Sequence, residues 1–106
     1  MKQTKVICSM VTEQEDMQIR NAAEMLGISK SDFLRFLILQ KNVESFDVVE
    51  FVKAYDSEQP DRGKQLSARC SDVVKDKVAA LIGEADVSEA SLLRALTMEA
   101  INATSN

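Results

Sequence analysis

Three groups of polar side chains could do chemistry. Gln65, Ser67 and Arg69 alternate with Leu66, Ala68 and Cys70, so in an extended segment three hydrogen-bonding groups share one face and three apolar groups the other. Glu44, Asp47, Glu50, Asp56, Glu58 and Asp61 form a run of carboxylates, a type that ligates cations or exchanges protons. Acid–base work needs desolvation or a close partner, and the run offers neither, so a solvated acidic face is expected. Cys8 and Cys70 are the two thiols, and the chain has no histidine, which removes zinc sites, Ser-His-Asp triads and Cys-His pairs as ordinarily built. No catalysis, no metal and no cofactor are expected, and both thiols are read as free in a reducing, cytoplasmic setting.

Smaller features read as structural. Met10, Met17, Met25 and Met98 share no helical stripe, so core filling is expected of them. Arg35 and Arg94 each follow a buried leucine and are expected to end in ion pairs. No apolar run reaches the eighteen residues of a membrane span, and the start, MKQTKVICSM, lacks a secretory apolar stretch.

Few turns can be built from three glycines and one proline, so helices must position these groups. Residues 64–70 give the clearest strand. Ser71 then caps a helix with Val74, Val78, Leu81, Ile82 and Ala85 on one stripe, expected to end between Glu84 and Asp86, and after Ser88 a second helix buries Leu92, Leu93, Leu96 and Ile101. Earlier in the chain, Thr12 to Glu15 reads as a capping box, followed by Ile19, Ala22, Ala23 and Leu26 as a buried stripe that Gly27 stops. Ser29 caps the next helix, which turns Phe33, Leu34, Leu37 and Ile38 inward. Between the two sets, Phe46, Val49, Val52 and Tyr55 suggest the apolar face of an extra amphipathic helix before the loop from Asp56 to Gly63 with Pro60.

The two sets are copies. At an offset of 59 residues, Ile28 to Leu37 lies over Val87 to Leu96 with Ser, Leu, Arg and Leu identical, and Ile7, Val11 and Ile19 fall on Leu66, Cys70 and Val78. The net charge of −4 divides unevenly. Residues 1–41 carry six basic and five acidic groups, 42–63 two and six, and 64–106 five and six. The acidity therefore belongs to the connector and does not argue against a polyanionic partner at the ends. Neither copy is large enough to bury a stable core by itself, so units 1–41 and 64–106, joined by 42–63, are expected to share one domain.

Strand, capped helix, a Gly-Ile-Ser-Lys-Ser turn and an apolar helix resemble the ribbon-helix-helix superfamily of the Arc and MetJ repressors, over about 80 residues. Val11 to Glu13 through Ile19 to Ser29 is also similar to the DNA-binding parts of some antitoxins and MobC-type mobilisation proteins, and two copies in one chain are similar to TraY-type conjugation proteins. The resemblance implies a mainly α fold with a short two-stranded antiparallel ribbon, 5–11 against 64–70, in a tandem form with pseudo-two-fold pairing. That pairing could be within one chain, as a monomer, or between chains, as a swapped homodimer.

It further implies a protein that binds double-stranded DNA sequence-specifically through a ribbon in the major groove, as a transcriptional regulator or repressor. The alternatives are a relaxosome or plasmid-mobilisation accessory protein, and an antitoxin or adaptor holding a protein partner through 42–63, since few residues follow Ile101. The implied base-reading residues are Gln65, Ser67 and Arg69, with Arg suited to guanine and Gln to adenine. Opposite them come Val6, Cys8 and Met10, an apolar departure from the family pattern that would meet thymine methyl groups at an asymmetric site, or a protein. A one-residue slip would instead turn Lys5, Ile7 and Ser9 outward. Phosphate contacts are implied for Lys2, Lys5 and Lys64 near the ribbon ends and for the helix starts at Ser29, Lys30, Ser31 and Ser88, with Glu89 weakening the last.

Overall fold

The computed structural model describes residues 4–56 and 62–104. Alternation builds the two strands. In β1 (Lys5–Val11), Ile7, Ser9 and Val11 are buried; in β2 (Lys64–Cys70), Leu66, Ala68 and Cys70 are. The strands pair antiparallel within the chain, with Val6 opposite Arg69, Cys8 opposite Ser67 and Met10 opposite Gln65. Ile7 and Ser9 face inward, which overturns the slipped register: with a side-chain period of two, a slip would take Ile7 and Val11 out of the core.

Among the described residues, five helices accompany the ribbon, α1 (Glu13–Met25), α2 (Lys30–Leu39), α3 (Val48–Tyr55), α4 (Asp72–Ile82) and α5 (Glu89–Thr104), with a 3-10 turn at Val43–Ser45. Thr12 and Glu15 form a reciprocal capping box at 3.1 and 2.8 Å, and the hydroxyls of Ser29 and Ser88 accept amides of α2 and α5 at 3.1 Å. Ser71 occupies the equivalent position of α4, but its hydroxyl makes no capping bond. Gly27 and Gly83, at φ +72° and +59°, end α1 and α4 in the left-handed region. The stop at Gly83 cuts α4 short of the expected end between Glu84 and Asp86.

One continuous core forms beneath the ribbon from both halves, with Leu34, Leu37 and Ile38 of α2, Val74 and Val78 of α4, and Leu92, Leu93 and Leu96 of α5. The connector helix α3 packs on α5. Its phase is set by Asp47 as cap, so Val48, Phe51 and Val52 turn inward, Tyr55 packs on the Phe51 ring, and Val49, expected inside, is exposed. Leu26 is also exposed, because α1 ends before it. The expected core role of the methionines fails for Met10, Met17 and Met25, which are exposed; Met98 packs against the core. Pro60, Glu58 and Asp61 lie outside the described residues. Among the described residues no helix is long and apolar enough to cross a membrane.

Candidate nucleic-acid interface

The outer face of the ribbon carries two unlike rows. On β2, Gln65 and Arg69 are exposed and Ser67 is half-buried; on β1, Val6 is 50% exposed, Met10 38%, and Cys8 half-buried. The rows touch: Gln65 Nε2 donates to Cys8 Sγ at 3.4 Å. Donors and acceptors thus line one strand, and apolar groups line its neighbour. Burial raises the Cys70 thiol above its ordinary pKa, so on the inner face it serves as a small hydrophobe.

Each free edge of the ribbon is met by a helix start. Along β1, Lys75 Nζ of α4 donates to the Val6 carbonyl at 2.8 Å and to Glu89 Oε1 at 2.6 Å, and the Cys8 amide donates to Glu89 Oε2 at 3.4 Å. Along β2, Arg35 of α2 donates to the Arg69 carbonyl at 2.6 Å and pairs with Asp32. Ser29 is exposed at this helix start, and Ser31 and Lys30 are half-buried. Lys30 Nζ lies 3.2 Å from Asp16 Oδ1, while Arg20 Nε holds Asp16 Oδ2 at 2.8 Å. Burial works to raise the pKa of Asp16, but the hydrogen bonds and charges of Arg20 and Lys30 outweigh it and hold the carboxyl below its usual range. Ser88 is exposed, its hydroxyl taken up by Ser91.

The remaining basic candidates are scattered. Lys5 is exposed at the start of β1. Lys64 is exposed at the opposite end, beside Glu13, Asp16 and Arg20, so its charge is partly offset there. Lys2 lies outside the described residues. The sequence reading missed Lys75 and the inward role of Glu89. The 59-residue offset carried the signal, because it lays Asp16 over Lys75 and Lys30 over Glu89, two ion pairs in register with opposite signs.

The expected solvated acidic face needs one correction. Asp56, at the end of α3, is largely buried and held by Arg94 Nε at 2.9 Å and Arg62 Nη2 at 3.2 Å. Arg94 also donates to Ser9 Oγ at 3.4 Å, and Ser9 Oγ donates to the Ala90 carbonyl at 2.7 Å. Two guanidinium groups therefore flank and cover this carboxylate, pinning the connector to α5. Among the described residues no group of three or more His, Cys, Asp or Glu is placed to hold a metal.

Compared with known families, residues 1–56, just over half of the chain, match the NikA-like family, described as mobilization protein NikA. Comparison with curated proteins and with solved structures gives no match.

Proposed function

This chain belongs to the NikA-like family of mobilization proteins, and on that premise we propose that it is a DNA-binding accessory protein of plasmid mobilisation, one that marks or bends a transfer origin. It does so as a tandem ribbon-helix-helix protein: units 1–41 and 64–106 pair within one molecule, the connector 42–63 tethers them, and the ribbon enters the major groove. The observation that carries the reading is the outer face of β2. Gln65, Ser67 and Arg69 project from a two-stranded base whose other face is buried except at Lys5 and Lys64, the arrangement that major-groove readout requires. Occupancy, not catalysis, is the mechanism, and the chain needs no cofactor for it.

Transcriptional regulation would use the same surface, but the family match favours mobilisation. The antitoxin or adaptor reading depended on the connector being free for a protein partner. Through Asp56 as far as residues are described, that segment is folded onto its own chain by Phe51, Val52 and the Asp56–Arg94 pair. The test is selection of duplexes from a randomised pool by the full chain, followed by affinity measurement at several salt concentrations. Retention of a consensus duplex, with affinity falling steeply as salt rises, is expected; indifference to every duplex at low salt overturns the proposal.

A further inference from the structure

Resting on the DNA-binding reading, we infer that the chain grips one strand of the duplex and reads a directional, non-palindromic target. Two independent asymmetries fall on the same side of the molecule. The first is chemical: the hydrogen-bonding row of the ribbon lies wholly on β2 and the apolar row wholly on β1. The second is electrostatic. At equivalent positions of the two halves, the pair Asp16–Lys30 is replaced by Lys75–Glu89, the same ion pair with its signs exchanged.

That exchange makes the two edges of the ribbon unlike. On the β1 edge, Lys75 and Glu89 neutralise one another and spend their hydrogen bonds on the strand itself, at the Val6 carbonyl and the Cys8 amide. On the β2 edge, Asp16 faces two cations, Arg20 and Lys30, so the cluster keeps one positive charge; the residue 59 places after Arg20 is Ala79, which supplies none to the other edge. Arg35 ties the cationic flank to β2 through the Arg69 carbonyl.

The polar row comes from the second half of the sequence and the cationic flank from the first, yet they meet on one side because β2 lies beside α2. When the ribbon lies in a major groove, its two edges face the two sugar–phosphate backbones. The backbone along β2 meets Lys30, Ser29 and Ser31. The backbone along β1 meets the Lys75–Glu89 pair, whose charges cancel and whose hydrogen bonds are spent on β1, so it offers a phosphate no free cation. A symmetric pair of identical units would offer the same contacts to both backbones and would favour a palindrome; this chain offers them to one.

The test is ethylation interference on each strand of the duplex selected by the wild-type chain, with Lys30→Ala and Lys53→Ala variants titrated on the same duplex. The expected result is a cluster of phosphates on one strand whose modification lowers binding about tenfold or more, and a consensus without two-fold symmetry. Lys30→Ala, which leaves Asp16 paired to Arg20, is expected to weaken binding several-fold and flatten the salt dependence by about one phosphate contact, whereas Lys53→Ala, which removes an exposed charge of α3 away from the ribbon, leaves both unchanged. Equal interference on both strands, a palindromic consensus, or equal losses in the two variants overturns the inference while leaving DNA binding intact. Failure to retain any duplex instead removes the DNA reading and the inference with it.

Discussion

Arg69 stands across from Val6 near one end of the ribbon, its backbone carbonyl fixed by Arg35 and its guanidinium in solvent, poised for a two-bond contact with guanine. Arg69→Ala is therefore expected to cost about 1–3 kcal/mol of affinity for the selected duplex and to relax preference at one base pair, measured by titration of matched and mismatched duplexes. Asp16 carries a different expectation. Its carboxyl is held below its ordinary pKa by Arg20 and Lys30 against the opposing effect of burial. The stabilisation this gives is complete above the unfolded-state value of about 3.9 and disappears as pH falls through it toward the folded value. Acid unfolding of the wild type should thus steepen below that pH, and Asp16→Asn should lose that part of the pH dependence while being less stable at neutrality; an unchanged acid limb in the variant contradicts the assignment. Side chains on the faces of β2 were legible from alternation alone, whereas the apolar outer row of β1 left a one-residue slip open until the burial of Ile7 and Ser9 closed it. Asp56 was not, because its cover comes from Arg94, 38 positions later, and no local pattern announces a partner at that distance.

Among the elements, the helices differ in how they are started. The capping box at Thr12 and Glu15 satisfies amides at the head of α1, whereas Ser71 stands at the head of α4 without a bond from its hydroxyl. Thr12→Ala is expected to cost about 1 kcal/mol and Ser71→Ala only a few tenths, measured by denaturant unfolding; equal losses would mean that the two caps are equivalent after all. Strands, caps and helix order could be read from the sequence because they depend on neighbours two to four residues apart. Phase at the ends was harder. Val49 was expected inside where Val48 is, since a short helix can be rotated by one position without breaking its apolar stripe, and the Asp47 cap decides the rotation. Leu26 likewise follows the apolar stripe of α1 but falls past its last turn.

At the scale of the whole molecule, a chain with a net charge of −4 presents a surface proposed for a polyanion, and the resolution lies in distribution. Acidic groups concentrate in the connector, which runs along α5, while Arg69, Lys30 and Arg35 border β2. That both ends of the chain contribute to one core was inferable from size, since neither 1–41 nor 64–106 could bury enough alone. The handedness of the charge pattern was not, because it appears only when β2 is laid beside α2 and Lys75 beside β1. The most direct test is a titration of the isotope-labelled chain with the selected duplex, followed by amide NMR. Shifts are predicted to concentrate on residues 5–11, 64–70 and the start of α2, leaving α3 unmoved. Shifts centred on α3, with the ribbon amides unchanged, would contradict the account.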